Sequence, residues 1–434
     1  MKISKSLLKK KAESKKNTTK GKLLTVKKSD TKSVRAKSMD NVANEFSLIC
    51  DRVILNKAIG FVSGALNPKH LDAKAGIYME TKVQDNENYL HLTANSDDAF
   101  ISTAIKLQDD VGIGSVCPNG TFLAKLVSAV QPLREQIEFE YNDDDNKLVI
   151  KCGDDYEADL PLYDSSTFIF PPTLEEIQDN ETITIPVKFI IEALKKVSFC
   201  VSSDPAVPEL TGIFFEQRKN EMNIVASDAS RVSCLSVKTK NASPKSVIVG
   251  PKYLMLLANV FRALEIKPST TIQLYLSDDK LFFIVDKTVI GLRVYAGSYP
   301  IKDRYKEFLP ANSDCELVLH ANKAKFVEKL NIALFHLKSQ IDNIVLVKKG
   351  KRFFLKNNDS ATNTFSIEVD MKEESNSTGK ASYEINFAFE FLSAVMTKLN
   401  DKDFTLALST LQGPAIVRPA NNKDEDYAYT FSLN

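Results

Sequence analysis

The residue types that perform catalysis occur in this chain, but their spacing does not bring them together. Four histidines stand singly along the sequence: His70, His91, His320 and His336. A lone histidine is far more often a solvated or hydrogen-bonded side chain than a general base or a metal ligand. Gly112-Ile113-Gly114 lacks the third glycine and the following helix of a dinucleotide-binding loop. We therefore expect no catalytic residues, no cofactor and no enzyme activity.

Carboxylates and cysteines are the remaining candidates for a metal site. Asp97-Asp98 and Asp143-Asp144-Asp145 are acidic clusters, but both fall in predicted turns, where adjacent acids are usually solvated. Six cysteines are scattered without the paired CxxC spacing of a zinc site: Cys50, Cys117, Cys152, Cys200, Cys234 and Cys315. Most of them stand among apolar residues, which indicates buried, reduced thiols in a cytosol-like compartment. We expect no bound metal.

Length and hydropathy indicate a globular protein of several domains. The chain has 434 residues, of which 43% are hydrophobic, enough for about three ordinary domains. No apolar run approaches the roughly 20 residues that a membrane-spanning helix needs, and the N-terminus lacks the apolar segment of a secretory signal. We therefore expect a cytoplasmic protein with no membrane partner.

Charge is distributed unevenly along the chain. Residues 1–44 hold 14 Lys or Arg and 3 Asp or Glu, a balance of +11, whereas residues 45–434 carry a balance of −10. The first segment is rich in Lys, Ser and Thr and has few large apolar residues, so we expect a disordered basic tail. Three interpretations of this tail stay open: a solvated arm without a task, loose attraction to nucleic-acid phosphates, or a transit peptide.

The same order of elements recurs three times after the tail. Helical periodicity predicts a first helix in each repeat, at 51–63, 186–201 and 322–337. It predicts a second helix at 118–130, 251–264 and 386–399, with successive starts about 133 to 136 residues apart. The sequence therefore predicts three domains of one design, at 45–172, 173–310 and 311–434.

Alternating apolar residues around these helices predict strands. In the first repeat they lie at 76–79, 90–94, 100–107, 137–141 and 148–152. In the second they lie at 211–215, 222–226, 232–237, 271–276, 281–285 and 289–296, and in the third at 343–348, 353–356, 364–369, 404–408 and 427–431. Each unit is thus strand-rich with two helices, which predicts an α+β fold in which antiparallel sheets back the helices.

The predicted helices combine an apolar stripe with outward basic residues. In helix 186–201 the predicted core residues are Ile190, Ile191, Leu194 and Val197, which leaves Lys188, Lys195 and Lys196 outside. A single outward lysine is ordinary on a solvated helix. Cations that recur on six helices of an acidic body are what a surface would need to attract the phosphate backbone of DNA without reading bases.

The stretch ELTGIFFEQRKNEMNIVASDASRVSCL at 209–235 resembles a known family. Leu210-Thr211-Gly212 and Ala226-Ser227-Asp228-Ala229-Ser230-Arg231-Val232 are similar in order and spacing to two motifs of the bacterial β sliding clamp family. These are its Leu-x-Gly hairpin and its Ala-Thr-Asp-Gly-His-Arg-Leu turn. Tyr299-Pro300 and Leu309-Pro310 resemble the Phe-Pro and Leu-Pro of that family's linker between second and third domains. The resemblance covers about 45–434.

This resemblance implies a non-catalytic processivity factor. Two three-domain protomers would join head to tail in a closed ring, with the helices lining a hole for duplex DNA and the sheets forming the rim. The implied partners are double-stranded DNA of any sequence, the replicative DNA polymerase, a clamp loader and a second copy of the chain. The residues expected to face DNA are Arg52, Lys57, Lys69, Lys125, Lys188, Lys195, Lys196, Lys252, Arg262, Lys325, Lys329 and Lys398.

The resemblance also implies a cleft between the second and third domains that binds short peptides of polymerases and repair proteins. Its expected residues are Leu210, Ser227, Ala229, Arg231, Val232, Pro300, Phe308, Phe431 and Leu433. Without the resemblance, Leu210, Val232 and Phe308 are equally well explained as plain core.

Three departures from the family pattern surround this cleft. Ala229-Ser230 replaces Gly-His, the Pro300 to Pro310 linker is longer, and the sequence ends in Phe431-Ser432-Leu433-Asn434 where the family has Met-Pro and an Arg-Leu tail. These departures imply a changed peptide preference, as in a phage or plasmid clamp that serves its own polymerase.

Two rival hypotheses stay open. The first is an interaction scaffold of the same fold that no longer encircles DNA and binds through the cleft at 210–232. The second is a nucleic-acid enzyme that uses the acidic turns and the basic tail.

Overall fold

The computed structural model describes most of the chain after the basic tail. The described residues are 44–70, 72–130, 135–178, 181–240, 242–263, 265–337, 343–357, 364–421 and 426–433. Residues 1–43 of the predicted tail lie outside them. Asn44–Asn434 forms one compact unit, so the proposed boundaries at 172/173 and 310/311 stay predictions.

Seven α-helices lie in the described ranges, and six of them are the predicted pairs. They are α1 (Arg52–Val62), α2 (Gly120–Ala129), α3 (Leu174–Gln178), α4 (Val187–Val197), α5 (Pro251–Ala263), α6 (Lys323–Leu334) and α7 (Phe389–Met396). Asp51 and Asn322 cap α1 and α6, because each side chain accepts a hydrogen bond from the backbone N–H three residues later. The first helices α1, α4 and α6 begin about 135 residues apart, as the repeat predicts.

Twenty-five strands are described, including every predicted one. The first repeat holds β1 (Ser47–Asp51), β2 (Tyr78–Gln84), β3 (Glu87–Asn95), β4 (Ala99–Lys106), β5 (Ser115–Val116), β6 (Gln136–Asn142), β7 (Lys147–Lys151) and β8 (Glu157–Pro161). The second holds β9 (Ile183–Pro186), β10 (Ile213–Arg218), β11 (Glu221–Ser227), β12 (Arg231–Lys238), β13 (Lys245–Val249), β14 (Thr271–Leu276), β15 (Lys280–Val285) and β16 (Thr288–Arg293). The third holds β17 (Leu317–Asn322), β18 (Asn343–Lys349), β19 (Arg352–Asn357), β20 (Ser366–Val369), β21 (Met371–Asn376), β22 (Tyr383–Ala388), β23 (Asp403–Leu408), β24 (Ala415–Pro419) and β25 (Asp426–Phe431).

These strands form four antiparallel sheets, two of which join neighbouring repeats. One eight-stranded sheet has the order β5-β2-β3-β4-β16-β15-β14-β9 and one nine-stranded sheet the order β13-β10-β11-β12-β25-β24-β23-β17-β21. Two four-stranded sheets, β1-β6-β7-β8 and β20-β19-β18-β22, belong to the first and third repeats alone. The fold is therefore α+β, with three repeats of two long helices backed by antiparallel sheets.

Equivalent strands close both junctions between repeats. At the first junction β4 pairs with β16, with Ser102 opposite Val289. At the second junction β12 pairs with β25, with Arg231 opposite Phe431. β4 and β12 have the same place in the strand order of their repeats, and so do β16 and β25. The two junctions therefore have the same design.

The helices pack on these sheets through their apolar faces. On α4, Val187, Ile190 and Leu194 are buried, and the helix contacts β12. The prediction that Ile191 faces the core is wrong, since its side chain is 38% exposed. Residues 188, 191 and 195 instead share the exposed stripe, because these positions lie on one helical face.

The cysteines are buried, and the first acidic cluster is paired with cations. All six cysteines are buried and free, and burial raises the pKa of Cys117 to about 12, so its thiol stays protonated at neutral pH. Asp97 pairs with Lys74, and Asp98 pairs with Lys252 and Arg293.

The acidic residues 143–145 lie in the turn between β6 and β7, as predicted. Within the described ranges, no three His, Cys, Asp or Glu side chains converge on a position that could hold a metal ion. None of the described helices has the length and apolarity that crossing a membrane requires.

Gly291 provides a test of the first junction. It lies opposite Phe100 across the β4–β16 pair, and a Cβ added there would overlap the buried phenyl ring. We expect Gly291→Ala to lower the free energy of unfolding by about 2 kcal/mol, because the junction has no room to relax. Chemical denaturation of the purified protein measures this loss. The double variant Gly291→Ala/Phe100→Leu should recover part of it, and full stability of the single variant would contradict the packing.

Candidate functional site

Six helices form one row across the three repeats. Contacts join α2 to α1, α1 to α5, and α5 to α4, and a further contact joins α6 to α7. Asn400, just after α7, links the two groups: its Nδ2 donates to Glu192 Oε2 at 2.7 Å, and its Oδ1 accepts from Lys195 Nζ. The spatial order is therefore α2, α1, α5, α4, α7, α6, and the row ends at α2 and α6.

Part of the predicted DNA-facing set forms an available cationic surface. Five of these side chains are exposed and have no acidic partner among the described residues: Lys69, Lys125, Lys188, Lys195 and Arg262. The side-chain hydrogen bonds described for them go to neutral amide oxygens, from Lys195 to Asn400 and from Arg262 to Asn259. Such cations can contact a polyanion without first breaking an ion pair.

Four other predicted cations, of which Lys329 is half-buried and the rest are exposed, are already paired with acids. The pairs are Lys57 with Glu265 at 2.7 Å, Lys252 with Asp98 at 3.3 Å, Lys325 with Asp370 at 2.9 Å and Lys329 with Glu328 at 3.0 Å. The hydrogen bond with Asp370 raises the pKa of Lys325. Exposed pairs contribute only about 0–1 kcal/mol each. These lysines can therefore exchange a carboxylate for a phosphate at small cost.

The prediction that Lys196 faces DNA is wrong. Its side chain is buried, its Nζ pairs with Glu192 at 3.2 Å, and it lies 5.5 Å from the ring centroid of Tyr427 on β25. Helical periodicity placed it outside because the periodicity of α4 alone does not reveal that the third repeat covers this face. Lys196 is part of the second junction.

Arg52 and Lys398 are partly buried and directed toward neighbouring elements. Arg52 Nη1 donates to the carbonyl of Val130 after α2, at 3.5 Å. Lys398 Nζ lies 5.7 Å from the ring centroid of Phe199. Both side chains therefore contribute to contacts between helices in this structure.

Arg231 is the central residue of the predicted cleft. Its Nε donates to Asp228 Oδ2 at 2.7 Å, and its guanidinium lies between two phenyl rings, 5.6 Å from Phe199 and 5.0 Å from Phe391. Phe199 follows α4 and Phe391 belongs to α7, so Arg231 joins the second and third repeats through cation–π contacts. Sequence reasoning missed both aromatic residues.

Three predicted cleft residues share one apolar cluster on the second repeat. Leu210 and Val232 are buried in it, and Phe308 packs against it from the linker. Tyr299 and Tyr305 of the same linker are also buried there, and Tyr299 stacks on Phe214 with ring centroids 4.8 Å apart. Leu210 and Val232 are therefore core residues, while the half-buried Phe308 lies at the edge of this cluster.

The remaining cleft residues differ in accessibility. Pro300, Ala229 and the half-buried Leu433 reach solvent. Phe431 is buried in the main core, where its ring lies 5.9 Å from that of Phe387.

Ser227 and Ala229 shape the turn that carries Arg231. The buried Ser227 Oγ accepts from the Ala229 N–H and donates to the carbonyl of Arg231. Ala229 has φ +74°, a left-handed conformation in which glycine is favoured, and glycine is what the resembled family has there.

Two residues that sequence reasoning missed fix the linker after the second repeat. Tyr305 donates from its hydroxyl to Glu216 Oε2 at 2.5 Å, and burial raises its pKa, so it remains a donor. Arg418 on β24 donates to the carbonyls of Leu309 and Pro310 at 3.0 and 2.7 Å. The position of Phe308 is thus held from both sides. Only the tyrosine, lying inside the Pro300 to Pro310 linker, had a sequence signal that could have identified it.

The ion pair between the buried Lys196 and the partly buried Glu192 generates a stability prediction. Lys196→Met leaves Glu192 without its cation, so we expect a loss of about 3 kcal/mol in the free energy of unfolding. The neighbouring Lys195→Met alters an exposed side chain and should change it by less than about 0.5 kcal/mol. Urea denaturation of both variants measures the difference. Equal stability of the two would show that Lys196 is not a buried partner.

Comparison with known proteins agrees with this geometry. A family model described as the central domain of the DNA polymerase III beta subunit matches residues 179–301. The beta sliding clamp of Staphylococcus epidermidis is 22% identical over 354 residues, which cover 80% of this chain and 88% of the relative.

Two solved structures share the fold along nearly their whole length. A putative DNA polymerase III beta subunit from Eubacterium rectale has a TM-score of 0.72 and 18% identity, covering 90% of this chain and 99% of that one. A DNA polymerase sliding clamp from Pseudomonas aeruginosa has a TM-score of 0.74 and 17% identity, with the same coverage. Together with the threefold architecture, these matches show that the chain is similar in sequence and in fold to the bacterial-type β sliding clamps, the DNA polymerase III β subunits.

Proposed function

We propose that this protein is a DNA sliding clamp. Two copies close into a ring around duplex DNA and tether the replicative polymerase and other partners. The protein itself is non-catalytic, and a clamp loader places it on DNA. It acts in the cytoplasm of a bacterial cell, encoded by the chromosome or by a phage, since the matched relatives come from bacteria.

The observation that carries this proposal is a pair of open strand edges, which together would form a third junction. The first junction pairs β4 with β16, and the second pairs β12 with β25. Their equivalents in the strand order are β20 of the third repeat and β8 of the first. Among the described residues, β20 pairs only with β19 and β8 only with β7. An open strand edge is a template for pairing with another chain, and β20 with β8 of a second copy would repeat the existing design.

The ends of the helix row support the same contact. Phe335 lies 13 residues after the N-cap of α6. Gly64 and Phe199 lie 13 residues after the N-caps of α1 and α4. Gly64 lies against Leu256 of α5, and Phe199 lies 5.5 Å from the ring of Tyr429, so both sit at junctions. Phe335 is 87% exposed in the single chain. Because the equivalent residues lie at junctions, we expect a second copy of the chain to cover Phe335.

An apolar groove at the opposite end of the row fits this role. It has a volume of about 650 Å³ and lies between α2 and the start of β8. Its lining includes Phe122, Leu126, Val130 and Tyr156. A head-to-tail pair would bring α6 of each copy to α2 of the other, which closes the row of helices into a ring.

The cations on the helices supply DNA binding without sequence preference. Lys125 lies on α2, Lys188 on α4 and Arg262 on α5, so they are spread along the row. Contacts from such residues to phosphates carry no base information and are salt-dependent, which suits a protein that slides.

We place the partner-peptide site at the second junction, around Arg231. The side chains of Ala229, Pro300, Phe308 and Leu433 are exposed or half-buried there. An apolar anchor of an extended peptide would pack against Phe308 and Leu433, beside the guanidinium that lies between Phe199 and Phe391.

Charge reversal tests the DNA-facing row. We expect Lys125→Glu/Lys188→Glu/Arg262→Glu to weaken binding to primed circular DNA by about tenfold or more at low salt, because three phosphate contacts become repulsive. The matched control Lys219→Glu/Lys238→Glu/Lys240→Glu makes the same charge change at the β10–β11 turn and the end of β12, and should bind as the unmodified protein does. Fluorescence anisotropy over a salt series measures both. Retention on circular but not linear DNA tests encirclement, and equal release from the two would contradict the clamp.

Phe335→Asp tests the third junction. We expect this variant to be monomeric at concentrations where the unmodified protein is dimeric, since a carboxylate would be buried against the groove at α2. Met255→Asp on α5 makes a similar change at an exposed apolar residue inside the row and should remain dimeric. Sedimentation velocity measures both, with circular dichroism as the folding control. A dimeric Phe335→Asp variant would exclude this residue from the interface.

A further inference from the structure

Two hairpin turns at the open ends of the chain carry opposite charge. The turn between β18 and β19 holds Lys349, Lys351 and Arg352 around Gly350, and we call it the basic tip. The turn between β7 and β8 holds Asp154, Asp155 and Glu157, and we call it the acidic tip. One tip neighbours the open strand β20 and the other leads into the open strand β8.

The first junction shows how equivalent turns meet. There the β2–β3 hairpin lies beside the β15–β16 turn, and Lys287 Nζ of that turn is 3.5 Å from the ring centroid of Tyr89 on β3. The β2–β3 hairpin corresponds to the β18–β19 hairpin of the third repeat. The β15–β16 turn corresponds to the β7–β8 turn of the first repeat.

The strand register leads to the same arrangement at the third junction. Antiparallel pairing at the second junction sets the start of β25 beside the end of β12, with Asp426 opposite Ser236. If β20 and β8 of a second copy pair likewise, the start of β8 lies beside the end of β20. The basic tip of one copy then faces the acidic tip of the other.

The charges at these tips are available for such a contact. Lys349 and Lys351 are exposed and have no acidic partner among the described residues, while Arg352 pairs with Glu368 on the neighbouring strand. Asp154 and Glu157 are exposed as well. Gly350 has φ +63°, so the lysines flank a tight left-handed turn that holds them close together.

We propose that the basic tip of each copy binds the acidic tip of the next, and that this contact makes the ring select identical copies. The inference rests on the proposed ring. Opposite charges accelerate the encounter of the matching ends, and like charges oppose any pairing in the wrong orientation. Because the tips are exposed, salt screens their attraction, so ring closure weakens as ionic strength rises.

Charge-swapped chains test the proposal. The variant Lys349→Glu/Lys351→Glu has two acidic tips, and Asp154→Lys/Glu157→Lys has two basic tips. We expect the dimer Kd of each variant alone to rise about tenfold or more at 50 mM NaCl. An equimolar mixture should form a heterodimer with an affinity close to that of the unmodified protein, because both of its interfaces are again complementary. This recovery also shows that each variant is folded.

Sedimentation velocity with one fluorescently labelled variant measures these affinities. Lys219→Glu/Lys238→Glu makes the same charge change at the β10–β11 turn and the end of β12, inside the chain, and should leave the dimer unchanged. At 500 mM NaCl the difference between unmodified and single-swapped proteins should shrink severalfold. A dimeric unmodified protein with single-swapped variants of unchanged Kd, or a mixture that fails to recover, overturns the tip contact alone. An unmodified protein that stays monomeric overturns the ring itself.

Discussion

Backbone hydrogen bonding at strand edges is the constraint on which this architecture depends. A repeat of this design has two sheets, and a strand at the edge of each sheet exposes N–H and C=O groups that need partners. The chain satisfies them by pairing β4 with β16 and β12 with β25. Within the described residues, the same arrangement leaves β8 and β20 paired on one side only, and these are the edges that the proposed second copy would cover.

The helices depend on those junctions for their positions. Because α1 and α4 lie over the sheets that join repeats, their exposed faces align into one row rather than three separate patches. Several cations in the row have no acidic partner in the part of the chain that the structure describes, and others form ion pairs of small energy. A surface of this kind holds a polyanion weakly at many points, which permits movement along it. The proposed contacts with partner peptides are instead concentrated at the second junction, around Arg231.

Much of the repeat could be predicted from the sequence, because strands in which apolar and polar residues alternate clearly are predictable. The prediction at 271–276 coincides with β14, where buried Ile272, Leu274 and Leu276 alternate with accessible residues. The strand β8 was missed because its sequence EADLP holds two acids and a proline, and β21 was missed because MKEESN is mostly polar. Both lie at sheet edges, where one side of the strand faces solvent and the pattern is lost.

The site was harder to predict than the fold, because its contacts come from distant parts of the chain. Periodicity within α4 cannot reveal that Tyr427 will cover Lys196, nor that Phe199 and Phe391 will enclose Arg231. The resemblance in the turn at 226–232 predicted a cleft at the second junction but not which side chains remain accessible there. Residues such as Leu210 and Phe431, which the family pattern assigns to the cleft wall, are buried here.

The long-range pairing of β4 with β16 has a consequence for how the chain folds. The buried hydrogen bond between Thr103 and Thr288 joins residues 185 positions apart. During synthesis, the first repeat therefore keeps an open sheet edge until the second repeat is nearly complete. Such late closure slows folding and leaves the edge exposed to incorrect pairing. Assistance by chaperones during translation would matter most in this interval.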